Sequence, residues 1–173
     1  FLFDPALQAN CAALVAALVA ADRTAPPGLS SHYDFEAVAL ICLAMETHRS
    51  RFDVQHHSCA ALHTLACRSA PLAEEVVRHD GVRLLAKAMQ TYRSDSAARM
   101  QASVCGAFAA LADRVEGCCA TLFEYSVPPL IEHTIADFLN ESDGGAAVFV
   151  CGARAILTLA DVAPPSTVLL VTS

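Results

Sequence analysis

The chain has 173 residues, a formal net charge of −7 at pH 7, 55% hydrophobic residues and only 6% aromatic ones. That length fits one compact domain or a short repeat array. Residues 1–112 hold ten acidic and nine basic side chains and residues 113–173 hold eight and two, with no basic stripe of the kind that marks a nucleic-acid binder.

Asp4-Pro5 is a cap followed by a first-turn proline, so a helix is expected over 5–21. The run Ala25-Pro26-Pro27-Gly28-Leu29-Ser30-Ser31 breaks it. Phe35–His48 has apolar residues at Val38, Ile41, Cys42 and Met45 and reads as the next helix. After a turn over 49–53, Val54–Cys67 reads as a long helix. A short helix is expected over Pro71–His79, a turn at Asp80-Gly81, a medium helix over Val82–Tyr92 and a long one over Ala97–Ala112. The same order then recurs: short over Glu116–Tyr125, medium over Pro128–Leu139, a Gly144-Gly145 turn, and long over Ala146–Ala160. Pro164-Pro165 is expected to start one more short helix running to Val171.

The long segments are copies of one another. They read QANCAALVAALVA from Gln8, QHHSCAALHTLAC from Gln55, QASVCGAFAALAD from Gln101 and FVCGARAILTLAD from Phe149. Their Leu-Ala pairs fall at Leu65-Ala66, Leu111-Ala112 and Leu159-Ala160, with Leu18-Val19 in the first copy, so the spacings are 47, 46 and 48. Repetition at such a period indicates a stacked helical solenoid. The medium-to-long connection grows through the array, from ten residues (Met45 to Gln55) to twelve (Met89 to Gln101) to fourteen (Ile135 to Phe149), which accounts for part of the drift. Cys59, Cys105 and Cys151, spaced by 46, suggest a rival register that would put Arg154 beside Leu62 and Phe108 in the core. An unpaired buried charge is costly, so the register that puts Ile156 there is preferred.

A unit of short, medium and long helix resembles the armadillo repeat family. The resemblance rests on Asp80-Gly81 between the first two helices, on Leu84-Leu85-Ala86-Lys87-Ala88-Met89 in the second, and on the recurring Gln-to-Leu-Ala pattern of the third. The separate short helix disfavours two-helix HEAT-type repeats. The resemblance implies an all-α chain forming a right-handed α-α superhelix of three to four repeats. Residues 1–21 would be a partial first repeat, 22–67, 68–113 and 114–161 the following ones, and 162–173 the start of another. Third helices would line a concave face.

In family members that bind extended peptides, the third helix carries a Trp and, four residues on, an Asn. Here the Trp positions hold Ala13, Ala60, Gly106 and Arg154, and the Asn positions hold Ala17, Thr64, Ala110 and Thr158. An extended-peptide ladder is therefore not expected. A groove floored by Ala and Gly would instead admit a helix or a folded partner. The candidate groove residues are His56, Ala60, His63, Thr64, Ala102, Gly106, Ala110, Arg154 and Thr158, with Gly106 and Ala110 expected to be open floor.

Other chemistry is sparse. His56, Cys59, His63 and Cys67 share one helix at spacings of three and four, but four ligands on one straight helix cannot close a tetrahedron, so no metal site is expected. His56-His57 with Asp53 lacks any accompanying nucleophile, phosphate loop or zinc-protease motif. Cys118-Cys119 lacks the electropositive surroundings that activate a thiol. Arg83, Lys87, Arg93 and Arg99 cluster around the medium helix and read as a solvated face more readily than as a contact for an acidic partner.

The eight cysteines lie mostly in apolar helical patterns, which suits a reducing compartment and a cytoplasmic protein. No signal peptide is visible, and Cys11–Ala21 is too short and Ala-rich to span a bilayer. Phe1 without Met and the apolar run Val168–Val171 suit a segment of something longer. The expected function is a non-catalytic scaffold for an unidentified protein partner, with no cofactor, nucleic acid or membrane. The alternatives are a structural spacer and self-association through apolar ends.

Overall fold

The computed structural model describes residues 4–21, 32–139 and 144–162. Every regular element among them is helical: α1 (Pro5–Ala21), α2 (His32–Thr47), α3 (Phe52–Arg68), α4 (Ala70–Arg78), α5 (Gly81–Thr91), α6 (Ala98–Arg114), α7 (Cys118–Glu124), α8 (Val127–Phe138) and α9 (Gly145–Val162). A 3-10 turn, Asp95–Ala97, leads into α6. The short helix expected over 164–171 and the loop over 25–31 lie outside the described residues.

Local chemistry explains the joints. Ser69 caps α4, its Oγ accepting from the Leu72 amide at 3.4 Å, and Pro71 sits in the first turn, where its missing N–H costs nothing. Asp80 then takes a left-handed backbone (φ 63°), and Ser126 (φ 54°) does the same 46 residues later before α8. The turn between short and medium helix is thus one conformation used twice. Gly81 follows Asp80 because α5 starts hard against α4: a Cβ there would lie 2.5 Å from Val76 Cγ1 and 2.6 Å from its carbonyl oxygen. α7 begins later than the pattern suggests because Gly117 (φ 76°) is left-handed and closes the turn before Cys118.

The long helices α1, α3, α6 and α9 pack side by side in chain order, each against the next. The medium helices α2, α5 and α8 each pack on the long helix of their own unit, and the short helices α4 and α7 wedge between units. One contiguous core runs through the molecule. It includes Met45, Leu62, Leu65, Leu72, Leu85, Met89, Met100, Phe108, Leu111, Leu122 and Ile131, each at most 1% exposed. α6, third of the four long helices, is buried almost all round. Its small Ala side chains, among them Ala98, Ala102, Ala107, Ala109 and Ala110, let α3 and α9 approach it closely from either side.

Burial fixes the register between copies. Val54, Ser58, Ala61 and Leu65 of α3 are buried, as are Met100, Val104, Ala107 and Leu111 of α6, 46 residues on, and Val148, Gly152, Ala155 and Leu159 of α9, 48 further. A constant 46 would instead bury Arg154, which is exposed, while Ile156 packs against the core.

Candidate functional site

The short and medium helices cover one side of the long-helix row. On the other side lie His56, Ala60 and Thr64 of α3, and Arg154 and Thr158 of α9. Arg154 is exposed and the rest are half-buried. The Thr64 and Thr158 hydroxyls donate to the carbonyls of Ala60 and Arg154 one turn back, at 2.8 and 2.9 Å.

The middle of the expected groove is different. Ala102, Gly106 and Ala110 of α6 are buried, Ala102 and Ala110 at 9% and 3% exposure. The expectation that Gly106 and Ala110 form open floor is therefore corrected. Ala102 packs with Ala98, Val148 and Phe138, turned towards α9 and α8. Over Gly106 lies the ring of His63 from α3: a Cβ on Gly106 would meet His63 Nε2 at 2.5 Å and Cε1 at 2.6 Å. The glycine exists in this helix to let an imidazole lie across the α3–α6 seam. A Trp at position 106 would displace that ring and so disturb packing as well as any groove.

The electrostatics follow from this packing. Burial lowers the pKa of His63, and Arg154 lowers it further. Burial also lowers that of His56, with His57 and then Arg99 adding to it. Among the described residues neither Arg99 nor Arg154 has a carboxylate within ion-pair distance. Two unpaired guanidinium groups and two histidines held neutral thus mark the face of an otherwise acidic chain. His56 also presents a buried Nδ1 without a partner, its ring 5.6 Å from that of Phe52.

Asp53 does not serve the histidines. Its carboxylate takes a hydrogen bond from Arg51 at 3.1 Å, and that bond holds its pKa down. The bases around α5 divide. Arg83 pairs with Asp80 and with Glu46, and Arg93 with Asp137 across to α8, whereas Lys87 and Arg99 are exposed. Burial pushes the Cys105 thiol up to about 12, and burial followed by Cys119 pushes Cys118 up to about 11, so neither supplies a thiolate near neutral pH. Among the described residues no three of His, Cys, Asp or Glu gather as a metal-binding group. A cavity of about 30 Å³ between α2, α3 and α5 has room for one water, whereas a small-molecule pocket needs roughly ten times that volume. By length and composition α9 could cross a membrane, but here it packs along α6 with Arg154 at its middle.

A pair of residues that looked like repeat markers has a definite task. The Gln101 side-chain amide donates to the carbonyls of Met89, at 3.0 Å, and Tyr92. Gln55 does the same to Met45 at 2.9 Å and His48 at 3.2 Å. Each glutamine closes the carboxyl end of its unit's medium helix, whose last carbonyls have no partner within the helix. The signal was the recurrence of Gln at the head of the first three copies, Gln8, Gln55 and Gln101. Phe149 holds the matching place in α9 and is 49% exposed. No protein-family model, curated protein or solved structure matches the chain.

Proposed function

We propose that this chain is a non-catalytic protein-interaction scaffold, an armadillo-like right-handed solenoid whose uncovered long-helix face receives a helix or a folded partner. The observation that carries this reading is that face itself. The small and hydroxyl side chains of Ala60, Thr64 and Thr158 lie beside an exposed Arg154 that no carboxylate of the described chain neutralises. A charged side chain left exposed and unpaired has no packing role and is available to a partner. The chemistry for catalysis does not converge there, because the histidines of the face have no acid partner and Cys105 lies in the core with its thiol held protonated by burial. Resemblance of the repeat pattern to the armadillo family supports the superhelical arrangement and the concave placement of the third helices.

The test is recovery of partners on the intact chain, compared with two surface variants. Thr64→Arg combined with Arg154→Glu alters the face without touching the core; Lys87→Glu alters the far side on α5. A partner recovered by the wild type and by Lys87→Glu, and lost with the double variant, supports the reading. Equal recovery by all three sinks it and favours a spacer role.

A further inference from the structure

The outer sides of α1 and α9, the first and last long helices among the described residues, carry exposed apolar side chains. At one end Leu14 of α1 and Leu40 of α2 are each 58% exposed; at the other, Val150 and Leu157 of α9 are 64% and 66% exposed. The chain contains interior copies of these same positions, all covered except His56 and His63 of α3, the half-buried copies of Val150 and Leu157. Leu14 matches Ala61, Ala107 and Ala155, at 0%, 1% and 0% exposure. Leu40 matches Leu84 and Leu130, at 5% and 8%. Val150 and Leu157 match Ala102 and Ala109, at 9% and 1%.

What covers the interior copies is visible. Ala98 and Ala102 on the trailing side of α6 pack against Val148 and Cys151 on the leading side of α9. Each trailing side is closed by the leading side of the next long helix. No described helix covers Val150 and Leu157 of α9 or Leu14 of α1, and Leu139, just after α8, is 61% exposed. Exposed apolar surface of this kind, continuous with a seam that buries its own copies, marks an interaction site.

We propose that the chain binds a second copy of itself head to tail. The trailing face of α9 in one molecule, with Val150 and Leu157, packs on the leading face of α1 in the next, with Leu14 and the flanking Leu40 of α2. The contact continues the α1–α3–α6–α9 row across the molecular boundary. It is heterologous, using two different patches, so each bound molecule still offers one free end and growth is open-ended. It involves neither the His63–Gly106 seam nor Arg154.

The test is the mass of the 173-residue chain in solution, followed by light scattering over a roughly hundredfold concentration range. Wild type is expected to gain mass with concentration. Leu14→Glu and Leu157→Glu should each associate about tenfold or more weakly, because each spoils one of the two patches in every molecule. Mixed in equal amounts, the two variants should form a dimer and stop, since one intact patch of each kind remains. Helix content and thermal midpoint show that the variants fold, and Leu40→Glu with Val150→Glu repeats the test should either first variant unfold. A wild type that stays monomeric throughout overturns the proposal. So does a Leu14→Glu chain that associates as the wild type does, which would indicate an α9-to-α9 contact, and so does a mixture that stays monomeric.

Discussion

Gly106→Ala combined with His63→Ala tests the seam between α3 and α6. Gly106 lies in the interior of α6, where Ala in place of Gly favours the helix by about 1 kcal/mol. Against this, the new Cβ would sit 2.5 Å from His63 Nε2, so the ring must move out of the seam. Overpacking of this kind costs about 1–3 kcal/mol. In the wild-type background Gly106→Ala should therefore be neutral to destabilising by about 2 kcal/mol. With His63→Ala in place the ring no longer opposes the Cβ, and the same substitution should stabilise by about 1 kcal/mol. The coupling read from the double-mutant cycle is thus about 1–3 kcal/mol. Denaturant unfolding of the four chains measures it, and each kcal/mol corresponds to about 2–4 °C in the thermal midpoint for a chain of this size. Displacing the ring should also raise the His63 pKa towards its ordinary value, followed by NMR titration. Equal stabilisation by Gly106→Ala in both backgrounds would show that His63 does not lie over Gly106.

Two further outcomes follow from the same packing. Gln101→Leu keeps the volume of the side chain but strips the Met89 and Tyr92 carbonyls of their donor, so it should destabilise by about 1–3 kcal/mol; unfolding no easier than wild type would show that solvent serves those carbonyls equally well. His56 and His63 have folded pKa values below their ordinary 6.5. Between the folded and unfolded values the unfolded chain binds more protons, so stability is complete above about pH 6.5 and falls as pH drops below it. Thermal midpoints measured from about pH 7.5 down to about pH 5 should decline, and His63→Gln should flatten the decline. An unchanged slope in His63→Gln would remove His63 from the account.

A helical row of this kind is unusually legible along the chain and poorly legible across it. The order of short, medium and long helices could be read from periodicity, first-turn prolines and Gly-containing turns, because these are local preferences of three to ten residues. The register that exposes Arg154 could be read too, since an unpaired charge does not belong beside Leu62 and Phe108. That Leu-Ala recurs every 46–48 residues also identified the long helices as equivalent.

What the sequence could not show is which neighbour each face meets. Ala60 and Gly106 occupy matching positions, yet Ala60 is half-buried on the outer face and Gly106 is closed over. The difference is made by His63, one helix away, whose ring fills the space that a missing Cβ leaves. Likewise Ala102 and Val150 match in register, but α9 covers the first and no described helix covers the second. Helix formation depends on the residues of one segment, so composition and spacing determine it. Burial of a given side depends on a second segment dozens of residues away, and only the tertiary packing decides it.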